Sequence, residues 1–90
     1  MDTNVNTLVS KRLAIIEGHV KKIRKMLDDD AYCPDVIHQS QAVQAALRKV
    51  DEIILHNHLH SCVLKDIHGT KPEKEKLVTE IMDVFQKTEK

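Results

Sequence analysis

Apolar residues recur every three or four positions along three segments of this chain, which predicts three α-helices and no strand. The first segment carries this pattern through Leu8, Ile15, Ile16, Val20, Ile23, Met26 and Leu27. The pattern stops at an acidic run, residues 28–30. Negative charge is unfavourable at a helix C-terminus and favourable at an N-terminus. The acidic run therefore marks the boundary between the first and second helices.

The second helix is predicted to begin near Pro34, because proline is tolerated in the first helical turn and Asp35 follows it there. The apolar positions are Val36, Val43, Leu47, Val50 and Ile54. Nothing interrupts them before "HGTKP", residues 68–72, so the helix has roughly 33 residues and a length of about 50 Å. A helix this long favours the spine of an oligomer. A third helix starts at Pro72 and presents Leu77, Val78, Ile81, Met82 and Phe85.

Composition supports one all-α domain over residues 1–90, since glycine, proline and aromatic residues are scarce. So short a chain buries a limited share of its surface, and we therefore expect an oligomer. The formal charge is zero, but basic residues concentrate in the first 27 positions, where a local surface can still bind phosphate. No secretory leader or membrane-spanning run is visible, which favours a soluble cytoplasmic protein with free thiols. No Ser-His-Asp pattern, phosphate-binding glycine loop or carboxylate pair indicates an enzyme.

The stretch "LHNHLHSC", residues 55–62, places four metal-binding side chains on two faces of the second helix. Residues four apart share a face, so His58 pairs with Cys62, and His56 pairs with His60 on the far side. His56 and His60 are expected to be solvated or in polar contacts. The remaining histidines are expected to be structural or surface residues: His19, His38 and His68.

The only other thiol is Cys33, and one helix would hold it roughly 40 Å from Cys62. Two antiparallel copies of the helix, crossing near Leu47, would bring Cys33 of one chain beside His58 and Cys62 of the other. Symmetry would make two identical sites per dimer. Two thiolates and one imidazole form a soft set that suits Cu(I) best, with Zn(II) or Ni(II) possible if further ligands join.

These residues carry a family resemblance. The segment "AYCPDVIHQSQAVQAALRKVDEIILHNHLHSC" resembles the second helix of the copper-sensitive operon repressor family, and "RLAIIEGHVKKIRKMLDDD" resembles its first. The specific part is a cysteine followed 25 residues later by His-x-x-x-Cys. The resemblance implies antiparallel dimers that pair into a tetramer, bound to operator DNA when metal-free and released by Cu(I), which turns on copper export or storage genes. It also implies a cytoplasmic regulator, with Cys33, His58 and Cys62 as ligands.

The resemblance further implies that two residues support the ligands, Tyr32 beside the first and Glu80 in the third helix. For DNA, Arg12 matches a basic family position, and Lys49 stands where an arginine is usual, which keeps the charge but loses the bidentate fork. Their neighbours Lys11 and Arg48 complete the predicted DNA-binding set.

Relatives that sense other signals resemble this chain less. Nickel and cobalt sensors add an N-terminal histidine, persulfide sensors lack the histidine between the cysteines, and formaldehyde sensors have proline where this chain has Asp2. Two alternatives stay open. One is a sensor of nickel, reactive sulfur or formaldehyde on the same fold. The other is a helical protein that buffers copper and has no DNA target.

Overall fold

The computed structural model describes residues 1–60 and 69–88, and it confirms the three predicted helices. They are α1 (Thr3–Asp28), α2 (Cys33–His58) and α3 (Lys71–Thr88). The described residues contain no strand. Leu59 and His60 continue α2 in a wider π-helical winding. The rest of the predicted second helix, residues 61–68, lies outside the described residues, so its full predicted length stays a prediction.

The acidic run ends α1 as its charge predicts. Asp30 has a left-handed backbone with φ of 55°, a conformation that aspartate tolerates better than most residues. The amide of Ala31 donates to the carbonyl of Met26 at 2.9 Å, and the amide of Asp30 donates to that of Leu27 at 3.2 Å. This pair of bonds is a Schellman motif, which satisfies carbonyls that the helix leaves free at its end. The chain therefore reverses within a few residues, and α2 runs back along α1.

Packing between α1 and α2 buries Val9 and Ile16 of α1 against Val43 and Val50 of α2. A hydrogen bond of 2.7 Å between His19 Nε2 and the side-chain oxygen of Gln39 joins the two helices. It makes His19 a structural residue, as predicted. This bond also gives the register of the two helices. Because they are antiparallel, the numbers of two residues that face each other add up to about 58, as those of His19 and Gln39 do.

A capping box begins α3. The Thr70 amide donates to Glu73 Oε2 at 3.1 Å, and the Glu73 amide donates to Thr70 Oγ1 at 3.3 Å. α3 then packs on the end of α2 through a second cluster, made by Leu59, Val78 and Met82. The two clusters are separate, so α3 contacts the rest of the chain at one end of α2.

A single copy leaves much apolar surface uncovered. The exposed large apolar side chains on the helices include Leu8, Leu13, Ile15, Val20, Leu27, Ile37, Leu47, Ile54 and Val84. Such surface is what the predicted oligomer would cover. Among the helices of the described residues, none combines the length and the apolar character that a membrane span requires.

Candidate metal centre and DNA-contact residues

Cys33 and His58 are the first and last residues of α2. The Cys33 thiol is free and exposed, and His58 is exposed as well. An α-helix rises 1.5 Å per residue, so their backbones are about 37 Å apart along the axis. A metal–ligand bond is about 2 Å long. These two side chains of one chain therefore share no ion, and a site that uses both requires two copies of the helix.

Both residues nevertheless lie on one face of α2. Seven turns at 3.6 residues per turn take about 25 residues, so the helix brings His58 to within about 20° of Cys33 around its axis. Leu47 and Ile54 lie on the same face between them, and they are 41% and 37% exposed. The face is thus partly apolar along its middle, with a candidate ligand at each end.

The third predicted ligand, Cys62, lies outside the described residues. In the described part of one chain, no three histidine, cysteine, aspartate or glutamate side chains are gathered as a metal would need. The structure therefore places Cys33 and His58 individually and leaves the complete set as a prediction.

The two predicted supporting residues lie on different elements, Tyr32 at the start of α2 and Glu80 within α3. Tyr32 is the N-cap of α2, and its carbonyl accepts the Asp35 amide at 2.9 Å. Its side chain is 73% exposed and stands next to Cys33. Glu80 is exposed, and two residues turn a helix by about 200°, so it points away from the side where Val78 packs on α2. No hydrogen bond or ion pair joins Glu80 to His58 within the described residues.

The predicted DNA-binding residues lie at one level of the α1–α2 pair. The register set by His19 and Gln39 places Arg12 opposite residue 46, within one turn of Arg48 and Lys49. Val5 of α1 and Lys49 of α2 line one cavity, and Arg12 follows Val5 by seven residues, which returns to the same face. Arg12 therefore lies on the same face of α1 as Val5, and along the pair it is within one turn of Lys49.

The four cationic residues of this set make few contacts with other charged groups. Lys11 and Arg48 are exposed. Lys49 Nζ is 3.7 Å from Oε2 of the half-buried Glu52, and because Lys49 itself is exposed this long contact contributes little to stability. The Arg12 Nε atom is buried without a hydrogen-bond partner. Lys11 and Arg48 are therefore accessible to an anionic partner, whereas Lys49 already has Glu52 nearby and Arg12 is half-buried.

On the far face of α2, His56 is exposed and His60 is in a polar contact, as the sequence predicted, but the partner of His60 was not foreseen. The rings of His56 and His60 are 4.4 Å apart, and His60 Nδ1 lies 3.5 Å from Glu75 Oε1 on α3. The four-residue spacing of the two histidines was visible in the sequence. The carboxylate was not, because it arrives through the packing of α3.

Three comparisons with known proteins agree with one another. Residues 6–87 match the family model described as metal-sensitive transcriptional repressor. The copper-sensing transcriptional repressor CsoR of Bacillus subtilis is 39% identical over 79 residues, which cover 88% of this chain and 76% of that protein. CsoR of Mycobacterium tuberculosis is 44% identical over 61 residues, covering 64% of this chain and 51% of that longer protein.

A solved structure shares the fold over the whole chain. It is the copper-sensing repressor CsoR with Cu(I) from Geobacillus thermodenitrificans, which is 37% identical, with a TM-score of 0.71. The match covers 100% of this chain and 92% of that one. Given this fold and the match of residues 6–87, the chain belongs to the family of metal-sensitive transcriptional repressors.

Proposed function

We propose that this chain is a copper(I)-responsive transcriptional repressor of the cytoplasm, which binds operator DNA when metal-free and is released when Cu(I) binds. The observation that carries the proposal is the placement of Cys33 and His58 at opposite ends of one face of α2. The similarity to copper-sensing repressors from several bacteria supports it. One helical domain would then both sense the metal and bind DNA.

The donor chemistry fits Cu(I). Cys33 and Cys62 supply two thiolates and His58 supplies one imidazole, and soft ligands in a low-coordinate set select Cu(I) over harder divalent ions. The exposed Cys33 thiol and the exposed His58 ring are both accessible to an ion and to a second chain. Bound Cu(I) would supply a strong link between the two ends of α2.

The face of α2 that carries Cys33 and His58 also supports a homo-oligomer. If a second α2 lies antiparallel on it, Cys33 of each chain meets His58 and Cys62 of the other, and Leu47 and Ile54 become covered. The two-fold axis makes two equal sites. Further apolar residues on α1, such as Ile15 and Leu27, are exposed in one chain and could serve the pairing of dimers into a tetramer.

The switch acts through the position of the helices. When Cys33 of one chain and His58 and Cys62 of the other hold one ion, the start of one α2 is fixed against the end of its partner. Arg12 and Lys49 belong to the same α1–α2 pair, so their spacing relative to the partner chain changes with it. One Cu(I) bound by two thiolates also carries about one net negative charge per site, and this charge weakens the attraction of the protein to phosphate. By linkage, DNA must weaken Cu(I) binding by the same factor.

The proposal is tested with DNA from upstream of the gene that encodes this chain, labelled for fluorescence anisotropy under anaerobic conditions. We expect the metal-free protein to bind with strong salt dependence, and one Cu(I) per chain to release it. The matched control is Cys33→Ala, which should bind the DNA equally well and stay bound when Cu(I) is added.

Other outcomes favour the alternatives. Tight Cu(I) binding without any salt-sensitive DNA binding would indicate a copper-buffering protein. Release by Ni(II), a persulfide or formaldehyde, with no response to Cu(I), would indicate a sensor of another signal on this fold.

A further inference from the structure

A second group of metal-binding side chains lies on the side of α2 away from Cys33. Two residues turn a helix by about 200°, so His56 and His60 both point roughly opposite to His58. They line a cavity of about 680 Å³ between α2, α3 and the start of α1. The same cavity is lined by Glu52 and Glu75. Two imidazoles and two carboxylates thus line one cavity, although among the described residues no three such side chains stand close enough together to hold an ion without rearrangement.

The two imidazoles are already close enough to act together. Their ring centroids are 4.4 Å apart, and the rings are tilted by 48°. Four-residue spacing on a helix is a common way to present two histidines to one ion. The exposed His56 and the half-buried His60 therefore form a pair on successive turns of the helix, which a single ion could bridge after a change of rotamer.

Glu75 lies beside one of the two ring nitrogens of His60. Its Oε1 lies 3.5 Å from Nδ1, so the carboxylate stands on the Nδ1 side of the ring and Nε2 is on the other side. Histidines that bind metals usually donate their other ring N–H to a carboxylate, and Glu75 is placed where it could take that part.

The Nε2 atom of His60 is buried and has no hydrogen-bond partner. Buried polar atoms in folded proteins nearly always have one, and an exception calls for an explanation such as an ion or a water molecule. It is the ring nitrogen on the side away from Glu75. A buried nitrogen without a partner thus belongs to the ring that packs on His56, in a cavity lined by two glutamates.

We propose that His56 and His60 bind a divalent transition-metal ion of the Zn(II) or Ni(II) type, with Glu75 as the positioning residue for His60. Nitrogen and oxygen donors suit these ions rather than Cu(I). Glu52 is four residues before His56 on the same face, so it or water completes the shell. An ion at this place ties the end of α2 to α3 through Glu75. The proposal does not depend on copper sensing.

The test uses the full chain with both thiols removed, Cys33→Ala/Cys62→Ala, so that loss of the proposed copper site has no influence on the result. Zn(II) is titrated against a competing chelator, and the zinc edge is recorded by X-ray absorption. We expect one Zn(II) per chain in a shell of nitrogen and oxygen with imidazole scattering. His56→Ala and His60→Ala should each weaken the affinity at least tenfold.

Two further variants separate a metal site from a structural role. His38→Ala removes an exposed histidine from the same helix outside the cavity and should leave the affinity unchanged. Glu75→Gln should weaken binding by roughly tenfold while the imidazole scattering persists. His56 is exposed, so its removal leaves the core intact, and circular dichroism checks the helix content. Absence of stoichiometric Zn(II), or equal affinity in the His56→Ala and His38→Ala chains, would overturn the proposal.

Discussion

At the scale of single residues, position around a helix decides what each histidine does. His58 shares a face with Cys33, and His60 contacts Glu75 on the other side of α2. His19, one helix away, bonds to Gln39 and joins α1 to α2. Residues of one type thus serve a candidate copper site, a candidate second site and the packing of the fold.

Lys49 should contribute to DNA binding through charge alone. Lys49→Ala should reduce the slope of log affinity against log salt by about 0.9 for each phosphate that the side chain no longer neutralises. Lys49→Arg should bind at least as tightly as the unchanged chain, because a guanidinium forms two bonds with one phosphate. The measurement is a salt titration of DNA binding by fluorescence anisotropy.

The matched control is Lys76→Ala, which removes an exposed lysine from α3. Its salt slope should equal that of the unchanged chain. If Lys49→Ala also kept that slope, Lys49 would not touch phosphate and the DNA-contact surface would lie elsewhere.

The positions that could be predicted from the sequence are those that depend only on spacing along one helix. The same-face placement of Cys33 and His58 and the opposite placement of His56 are consequences of 3.6 residues per turn. The contact of His60 with Glu75 and the register of Arg12 with Lys49 depend on how two helices pack. The left-handed Asp30 was equally hidden, since glycine is the usual residue at such a turn.

At the scale of elements, α3 is held less extensively than the other helices. α1 and α2 share a core along much of their length, whereas α3 packs on one end of α2 through Leu59, Val78 and Met82. An element with few buried apolar contacts opens and reorients at low cost in free energy. α3 is therefore the element that we expect to move between the DNA-bound and copper-bound states.

Glu80 tests this expectation, because it reaches His58 only if α3 reorients or if another copy contributes it. Glu80→Ala should weaken Cu(I) binding by roughly 10- to 100-fold, since removal of the carboxylate leaves the second ring nitrogen of His58 unsupported. Release from DNA should become incomplete at one Cu(I) per chain. Affinity is measured by chelator competition and release by anisotropy.

Glu80→Gln is the conservative control, because its side-chain carbonyl still accepts a hydrogen bond from the ring. It should recover part of the Cu(I) affinity. Full affinity together with full release in the Glu80→Ala chain would show that α3 takes no part in the switch.

At the scale of the whole molecule, one chain has a small core and much exposed apolar surface. Its two clusters of buried residues are small and separate, and none of the described polar or charged residues is buried as a whole. A second antiparallel copy, as proposed above, would cover exposed apolar residues and bring Cys33 of one chain to His58 of the other. This arrangement could be predicted from the sequence because a long helix has a known length and twist, and it stays a prediction.

The most direct test of the shared site mixes two defective chains. Cys33→Ala and Cys62→Ala chains carry different affinity tags, are refolded together, and the dimers that contain both are isolated. Each variant alone should lose tight Cu(I) binding. The mixed dimer should regain one tight site of two, because Cys33 of one chain meets the intact His58 and Cys62 of the other, and its copper edge should show two sulfur ligands and one nitrogen ligand. A mixed dimer that binds Cu(I) no better than either variant alone would contradict a site shared between chains.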